Sequence, residues 1–116
     1  KYTLILPFPP TVNHYWRHVG SKVLISAAGR RYRTDVQAAM LAQGAQPLED
    51  GELRVTIHLH PPDRRRRDID NSLKALLDAL QHGGAYEDDS QIGTLHVEKF
   101  DGPDGRCRAE VTLEDM

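Results

Sequence analysis

Residues 53–84, LRVTIHLHPPDRRRRDIDNSLKALLDALQHGG, change from one hydrophobic period to another on either side of a charged motif. Before the motif, apolar residues at every second position predict a half-buried β-strand; these are Leu53, Val55, Ile57 and Leu59. After it, apolar residues at helical spacing predict an α-helix that Gly83 and Gly84 end; these are Ile69, Leu73, Leu76, Leu77 and Leu80. The segment therefore predicts a strand, a charged loop and a helix in succession.

The residues before this segment predict two short strands and a helix. Residues 2–6 predict a strand that ends at a group of prolines, because proline cannot donate to a β-ladder. A polar and aromatic loop over residues 11–22 then leads to a brief strand at residues 23–25. The helix that follows has Ser26 as its N-cap and ends near Gly44. Charged helix faces are usually solvated, and we expect this for Arg30, Arg31 and Arg33.

The final third of the chain predicts a β-hairpin. Residues 92–100 form its first strand, residues 101–105 form its turn, and the second strand buries alternate residues. These alternate residues are Cys107, Ala109, Val111 and Leu113. The order of elements is then ββαβαββ, which predicts an α+β fold with two helices packed on a mixed or antiparallel sheet. A length of 116 residues, of which 39% are hydrophobic, fits one domain over residues 1–116.

Positive and negative charges are divided between the two parts of the chain, although the net charge is only −2. Residues 1–67 hold 11 lysines and arginines against 5 aspartates and glutamates, a net charge of +6. Residues 68–116 hold 4 against 12, a net charge of −8. The sign changes between Arg67 and Asp68, so we expect a basic surface to meet an acidic centre there. Polyanions would bind the first part and divalent cations the second.

Cysteine content and hydropathy indicate where the protein works. Cys107 is the only cysteine, so no internal disulfide can form and a reducing compartment is the simplest setting. No apolar run reaches the roughly 18 residues that a membrane span needs. The N-terminus also has no signal-peptide pattern. We therefore expect a cytoplasmic protein with no membrane partner.

The motif RRRRDIDN sets four arginines against two aspartates. Asp68 and Asp70 are two residues apart, so in extended chain both carboxylates would point the same way and could share one ion. Lys74 lies one helical turn after Asp70, and Asn71 adds a neutral oxygen or an amide donor. A further acidic run, residues 87–89, follows the helix and could return to it.

The chemistry of these side chains suits a metal-dependent reaction on phosphate. Oxygen ligands without histidine or thiolate favour Mg²⁺, with Mn²⁺ as a substitute, over Zn²⁺. Carboxylates around such an ion lower the pKa of bound water and stabilise a leaving oxygen. Lys74 would neutralise developing charge or orient the attacking water. Guanidinium groups offer planar forks of donors to phosphate, which suits Arg64, Arg65, Arg66 and Arg67.

Each half of the motif also has a structural explanation. Aspartates at a helix start complement the helix dipole by roughly 0.3–1 kcal/mol without any ligand. An arginine run is often a solvated strip that binds polyanions without chemistry. The combination favours chemistry, because four adjacent like charges repel one another and contribute nothing to a fold. We therefore expect a polyanionic partner.

The aromatic loop before the first helix is a second candidate for nucleic-acid contact. Tyr15, Arg17 and Lys22 could touch nucleic acid there, since aromatic rings can stack on exposed bases. Trp16 has two explanations that the sequence leaves open. It stacks on DNA, or it anchors the core or a dimer interface.

Two stretches, HPPDRRRRDIDNSLKALLDAL and YEDDSQI, together closely resemble the RusA family of Holliday junction resolvases. The start, LPFPPTVNHYWRH, is similar to the family's N-terminal strand, proline-rich turn and basic aromatic loop, so the resemblance covers nearly the whole chain. It implies a RusA-like fold and a homodimeric, Mg²⁺-dependent endonuclease, common in prophages, that resolves four-way DNA junctions by paired nicks. Such nicks carry 5′-phosphate and 3′-hydroxyl ends. Dimerisation also suits a two-fold symmetric junction that needs two cuts.

The resemblance also implies roles for individual residues. Asp68 and Asp70 match the two aspartates of the family's motif. Lys74 matches its essential lysine, and Asp89 matches its later catalytic aspartate. Asp88 is the neighbour of the last and a further candidate metal ligand. Glu87 departs from the pattern, because a more apolar residue often stands there, and it adds a charge near the ion.

Two other classes of function fit parts of the pattern. A Mg²⁺-dependent phosphatase with an Asp-x-Asp nucleophile would need an apolar strand directly before Asp68, where the arginines stand instead. A junction- or RNA-binding module without catalysis would keep the arginines, but it would not need Asp68, Asp70, Lys74 and Asp89 together. The binding module is the alternative to the nuclease.

Overall fold

The computed structural model describes residues 1–48, 51–100 and 107–116 of the chain. The elements in order are β1 (Tyr2–Leu6), α1 (Val12–Tyr15), β2 (Trp16–Val19), β3 (Lys22–Ile25), α2 (Ala27–Ala42), β4 (Leu53–His60), α3 (Ile69–His82), a 3-10 turn (Asp89–Gln91), β5 (Ile92–Lys99) and β6 (Arg108–Asp115). The α+β class expected from the sequence is confirmed. None of the helices in the described residues is long and apolar enough to cross a membrane.

Four strands form one mixed sheet in the order β1-β6-β4-β5. β6 pairs antiparallel with both β1 and β4, whereas β4 and β5 run parallel. A parallel pair needs a crossover connection, and α3 supplies it because it lies between β4 and β5 in the sequence. β4 therefore joins the parallel part of the sheet to its antiparallel part.

The predicted hairpin between the last two strands is wrong. The strand bounds agree closely with the prediction, but β4 lies between β5 and β6 in the sheet. β4 pairs in parallel with β5 on one edge and antiparallel with β6 on the other, so the last two strands are not hydrogen-bonded to each other. The predicted turn, residues 101–105, lies outside the described residues.

The core lies between one face of this sheet and the helices. The buried strand residues are Leu4 and Leu6 of β1, Leu53, Val55, Ile57 and Leu59 of β4, and Ala109, Val111 and Leu113 of β6. The helices contribute Tyr32, Val36 and Met40 of α2 and Ala75, Leu76, Ala79 and Leu80 of α3. α2 packs on β1 and on α3, which fixes the position of α3 over the sheet. Removal of this apolar surface from water stabilises the fold by roughly 25 cal/mol per Å².

The structure corrects two further predictions. Cys107 is exposed and precedes β6, because the buried alternation of that strand begins only at Ala109. The region predicted as a loop, residues 11–22, contains α1 and β2, so the described part of the chain has three α-helices rather than two. β2 and β3 form a separate two-stranded hairpin, and Gly20 in its turn has a φ of 62°.

The predicted helix ends are confirmed. At the start of α2, Ser26 Oγ accepts a hydrogen bond from the Gly29 N–H at 2.9 Å. Gly44, at a φ of 69°, follows the end of α2, and Gly84, at 89°, follows the end of α3. Glycine adopts such positive φ values without strain, which explains both stops. The charged motif therefore lies between the end of β4 and the start of α3.

The sheet face opposite the helices is polar. His58 and His60 lie there, as the alternation predicts, and their rings are 3.9 and 3.7 Å from the Glu110 carboxylate of β6. His60 also stacks on Phe100, with ring centroids 4.6 Å apart. The two histidines thus belong to a polar surface on the side of the sheet away from the helices.

Candidate active site

A pocket of about 470 Å³ brings together acidic, basic and apolar side chains from three elements. Its lining residues are Trp16 of β2, Asp70, Leu73, Lys74, Leu77 and Asp78 of α3, and Asp89 of the 3-10 turn. Three of the predicted catalytic residues, Asp70, Lys74 and Asp89, therefore share one pocket. This pocket is the candidate active site.

Helix α3 presents its polar residues to the pocket at regular intervals. Asp70, Lys74 and Asp78 are each four residues apart, so they lie on one face of the helix. Leu73 and Leu77 lie beside them and form the apolar part of the wall. The other face of α3 is buried in the core, which holds the polar face in place.

Asp89 reaches the pocket because the segment after α3 is fixed against that helix. The Asp89 N–H donates to Gln81 Oε1 of α3 at 3.2 Å. Tyr86 is buried, and its hydroxyl donates to the Leu77 carbonyl at 2.6 Å. Burial raises the pKa of Tyr86, and the negative charges of Asp89 and Asp78 raise that pKa further. Sequence reasoning missed both Gln81 and Tyr86. The only signal in the sequence is that Tyr86, an aromatic residue, stands directly before an acidic run.

Asp88 has a structural task beside the pocket. Its Oδ1 accepts a hydrogen bond from the Ser90 N–H at 3.0 Å, and Gln91 Oε1 accepts from the N–H groups of Glu87 and Asp88. The backbone hydrogen bond from Ser90 lowers the pKa of the Asp88 carboxyl. Asp88 caps the 3-10 turn and is not among the residues that line the pocket, so this position does not support its prediction as a metal ligand.

Asp68 lies at the start of α3, in a neighbouring depression of about 290 Å³. The other lining residues of that depression are Thr11, Arg66, Arg67, Asn71 and Ser72. α3 begins at Ile69, so Asp70 is already helical and the extended geometry assumed for the two aspartates is absent. The Asp68 side chain makes no hydrogen bond that caps the helix. The two carboxylates therefore line different depressions rather than one.

The donor set of the pocket can be compared with the needs of a metal ion. The described residues contain no group of three histidine, cysteine, aspartate or glutamate side chains that could hold an ion. Asp70 and Asp89 nevertheless supply two carboxylates to one pocket. Mg²⁺ commonly takes one or two protein carboxylates and completes its shell with water and substrate phosphate. Two carboxylates therefore fit Mg²⁺ or Mn²⁺, and they do not fit the four nitrogen or sulfur ligands of a structural zinc site.

A hydrogen-bond network links the pocket to two other helices. Asp78 Oδ2 accepts from Arg33 Nε at 3.0 Å, from Arg33 Nη2 at 2.7 Å and from the Tyr15 hydroxyl. Tyr15 is fully buried, so its predicted contact with DNA is wrong. Burial raises the pKa of Tyr15, and its hydrogen bond to Asp78 raises that pKa further. Arg33, expected to be solvated, has a side chain that is only 22% exposed.

The arginine run is a folded loop with its own carboxylate. Asp63 Oδ1 accepts hydrogen bonds from Arg67 Nη1 at 2.7 Å and from the Arg65 N–H at 2.9 Å. The hydrogen bond from Arg67, followed by that from Arg65, lowers the pKa of Asp63 to about 2. The Arg67 guanidinium also lies 5.7 Å from the centroid of the Phe8 ring. Arg67 therefore stabilises the loop, which corrects the expectation that the run contributes nothing to the fold.

The other arginines of the run are exposed. Arg64, Arg65 and Arg66 all face solvent, and the Arg65 side chain is 84% exposed. A depression of about 280 Å³ beside them is also lined by Lys99 of β5, whose Nζ donates to the Arg67 carbonyl at 2.6 Å. Sequence reasoning missed Lys99, because its approach depends on the parallel pairing of β5 with β4.

Trp16 joins the pocket to the β2–β3 hairpin. Its indole packs edge to face against Tyr15, with ring centroids 4.9 Å apart, and it also contacts the core. Its Nε1 is buried and has no hydrogen-bond partner within the described residues. Trp16 is thus a core contact on one side and a wall of the pocket on the other. Arg17 and Lys22 are exposed on the hairpin.

Comparisons with known proteins give matches over nearly the whole chain. The family model described as endodeoxyribonuclease RusA matches residues 7–114. A crossover junction endodeoxyribonuclease rusA of Enterobacteria phage HK97 is 41% identical over 113 residues, which cover 97% of this chain and 94% of that protein. Relatives of the same name from Escherichia coli strain K12 and Enterobacteria phage 82 are 40% identical, over 99% of this chain and 95% of each relative. A match of this extent means that the chain belongs to the RusA family of endodeoxyribonucleases.

Proposed function

We propose that this protein is a structure-specific endodeoxyribonuclease that resolves four-way DNA junctions by Mg²⁺-dependent hydrolysis of phosphodiester bonds. Family membership supports the nuclease activity, and the relatives' name, crossover junction endodeoxyribonuclease, supports the junction as substrate. The observation that carries the proposal is the pocket shared by Asp70, Lys74 and Asp89. A lysine that shares a pocket with two carboxylates suits a reaction at phosphate better than it suits binding alone.

The side chains of the pocket have distinct tasks in this reaction. The Lys74 ammonium neutralises the charge that develops on the phosphate oxygens, and loss of one such preorganised donor typically costs about 10²–10³ in rate. Leu73 and Leu77 give the pocket an apolar wall, and a lower local dielectric strengthens the interaction of Lys74 with phosphate. The Asp78 network holds the helix that carries all of these groups.

The carboxylates would hold the metal ion. Asp70 and Asp89 are its ligands in this proposal, with Mn²⁺ as a substitute for Mg²⁺ and with Asp68 as a third candidate at the start of α3. An ion held by these residues would supply a lower pKa for a bound water molecule and charge stabilisation for the leaving oxygen. Hydrolysis of this kind leaves 5′-phosphate and 3′-hydroxyl ends, which a DNA ligase can rejoin.

The exposed cations would hold the DNA beside the pocket. We assign phosphate contacts to Arg64, Arg65, Arg66, Arg17 and Lys22, with Asn71 and Arg67 at the depression next to Asp68. Such contacts release counterions, so the affinity should fall steeply as salt is raised. A homodimer fits the substrate, because a four-way junction is two-fold symmetric and its resolution needs two symmetry-related cuts. The cytoplasm is the compartment in which this enzyme would meet DNA.

A second candidate is a junction- or RNA-binding module without catalysis. The observation that favours it is that the described residues hold no preassembled group of three metal ligands. In that case Asp70 would only stabilise α3 through its favourable interaction with the helix dipole, and the arginines would account for all of the nucleic-acid binding.

Cleavage of a synthetic four-way junction distinguishes the two candidates. Purified protein is incubated with the junction, with a linear duplex of the same sequence and with a single-stranded RNA, in Mg²⁺ or in chelator. We expect binding of the junction in both conditions, and paired nicks in the junction only in Mg²⁺. A DNA ligase should reseal the nicks if the ends are 5′-phosphate and 3′-hydroxyl.

Matched variants make this test specific. Asp70→Asn should bind the junction without cutting it, whereas Asp35→Asn, at an exposed position on α2, should cut normally. Binding without cleavage by the natural protein, or preferential binding of the RNA, would favour the binding module. Normal cleavage by Asp70→Asn would rule out the pocket as the catalytic site.

A further inference from the structure

The hairpin of β2 and β3, residues 16–25, belongs to a part of the chain with only positive charge. Residues 1–34 contain six lysines and arginines and no aspartate or glutamate, although the whole chain is slightly acidic. Two of the six, Arg17 and Lys22, lie on the hairpin, and both are exposed. The hairpin therefore presents a cationic surface next to a pocket rich in carboxylates.

The pairing of the two strands determines which side chains share a face. Arg17 lies opposite Leu24, and Val19 lies opposite Lys22, so one face combines two cations with two aliphatic side chains. The other face begins at Trp16 and Ile25 and continues outward to His18 and Val23. The three aliphatic side chains near the tip are strongly exposed: Val19 by 48%, Val23 by 55% and Leu24 by 39%.

The base of the hairpin is fixed while its tip projects. The Ser26 N–H and Oγ both donate to the Tyr15 carbonyl at 2.9 Å, directly after β3 and directly before β2. Trp16 at the base lines the pocket with Asp70, Lys74 and Asp89. A partner bound to the tip is therefore held at a defined position relative to the pocket.

The chemistry of the tip matches opened DNA better than it matches another protein surface. Nucleic acid offers phosphates to the cations and base faces to the aliphatic side chains, which architectural proteins insert between base steps as wedges. A second copy of this chain would bring the same cations against each other across a two-fold interface, which is unfavourable. A fully stacked duplex offers no exposed base face.

We propose that the β2–β3 hairpin is a wedge that enters the opened centre of a four-way junction. Val19 and Val23 would pack against unstacked bases at the crossover, and Arg17 and Lys22 would hold the flanking phosphates. This inference rests on the proposed function and adds to it the element that distinguishes a junction from a linear duplex. With the wedge in this position, the DNA strand next to the crossover lies at the pocket that Trp16 lines.

Two sets of variants separate the wedge from general electrostatic binding. Binding is measured in chelator, so that no strand is cut, with 2-aminopurine at the crossover of the junction to report unstacking. Val19→Ser/Val23→Ser should lower the affinity for the junction by about tenfold and abolish the 2-aminopurine signal, without change for linear duplex. Arg17→Gln/Lys22→Gln should weaken binding of both DNAs and reduce the slope of log affinity against log salt by about 2.

The control Ile5→Ser/Leu41→Ser removes two exposed aliphatic side chains elsewhere, on β1 and α2, and should behave like the natural protein.

Sedimentation of every variant reports whether the hairpin is instead an interface between two copies. The wedge is overturned if Val19→Ser/Val23→Ser keeps the junction preference and the 2-aminopurine signal, or if that variant loses the dimer. If the natural protein opens the junction but does not cut it in Mg²⁺, the wedge proposal stands and the proposed catalysis is contradicted. Failure of the natural protein to bind the junction would overturn both.

Discussion

At the scale of single residues, Asp78 is a carboxylate that lines the pocket but is already engaged by the protein. Its Oδ2 accepts three hydrogen bonds, two from Arg33 and one from Tyr15. Hydrogen bonds to a charged group are stronger than those between neutral groups, so this oxygen is held firmly. Asp78 thus joins α3 to α1 and α2 and acts as a positioning residue for Asp70 and Lys74.

Tyr15→Phe tests the worth of that network to the fold. The change removes the hydrogen bond that the Tyr15 hydroxyl donates to Asp78 and the one that it accepts from Arg33 Nε at 2.9 Å, and we expect the free energy of unfolding to fall by about 1–3 kcal/mol. Urea unfolding followed by the fluorescence of Trp16, the single tryptophan, measures it. The matched control is Tyr2→Phe, whose hydroxyl donates to the Gln46 carbonyl at an exposed site, and it should cost less. Equal losses for the two variants would show that the network adds nothing.

Asp63 makes a pH-dependent contribution to the arginine loop. Its pKa is about 2 in the folded protein, below the ordinary value of 3.8, so its stabilising effect is present above pH 4 and is lost as the pH falls towards 2. An NMR titration of the Asp63 carboxyl should therefore have its midpoint near 2. Arg67→Gln should move that midpoint towards 3.8. Arg65→Gln keeps the donating backbone N–H and removes only an ion pair of 3.7 Å between the Arg65 side chain and Asp63, so it should move the midpoint less. A midpoint near 3.8 in the natural protein would contradict the loop geometry.

At the scale of elements, α2 and the base of the hairpin approach each other so closely that only glycine fits between them. A Cβ on Gly29 would lie 2.5 Å from the carbonyl oxygen of Tyr15, directly before β2, and 2.7 Å from Ile25 Cγ1 at the end of β3. Helix propensity alone predicts that Gly29→Ala stabilises α2 by about 1 kcal/mol. The clash reverses the sign, and we expect a loss of about 1–3 kcal/mol in the free energy of unfolding.

Ala38→Gly at an exposed position of the same helix is the control for propensity, and it should cost about 0.5–1 kcal/mol. Thermal and urea unfolding of both variants would measure these changes. A Gly29→Ala variant more stable than the natural protein would mean that the hairpin base lies further from α2 than the structure has it.

The elements themselves were largely predictable from the sequence, but their pairing was not. Alternation is a local signal, and it located β4, β5 and β6 to within a residue or two of their observed bounds. Strand order depends on contacts between distant residues, so the default of a hairpin between successive strands failed where β4 inserts between β5 and β6. The β2–β3 hairpin was half missed because its exposed side chains lack a regular alternation.

At the scale of the whole molecule, the site combines what a local pattern predicts with what only the fold brings together. Asp70 and Lys74 share a face because of helical spacing, which the sequence displays directly. Asp89 joins them through the Gln81 and Tyr86 contacts, and without a known family that approach was only a possibility. The separation of Asp68 from the pocket and the capping of the 3-10 turn by Asp88 were missed, because both depend on the residue at which a helix or turn begins.

The rate of junction cleavage in a double-mutant cycle of Asp70→Asn and Asp89→Asn tests the central claim, that these residues act at one site. In a single turnover with Mg²⁺, each variant should cut a four-way junction at least 10²–10³ times more slowly than the natural protein, and the double variant should be little slower than either. Binding of the junction in chelator should be retained by all three. Cleavage at the natural rate by Asp89→Asn, or losses that multiply in the double variant, would contradict a shared catalytic pocket.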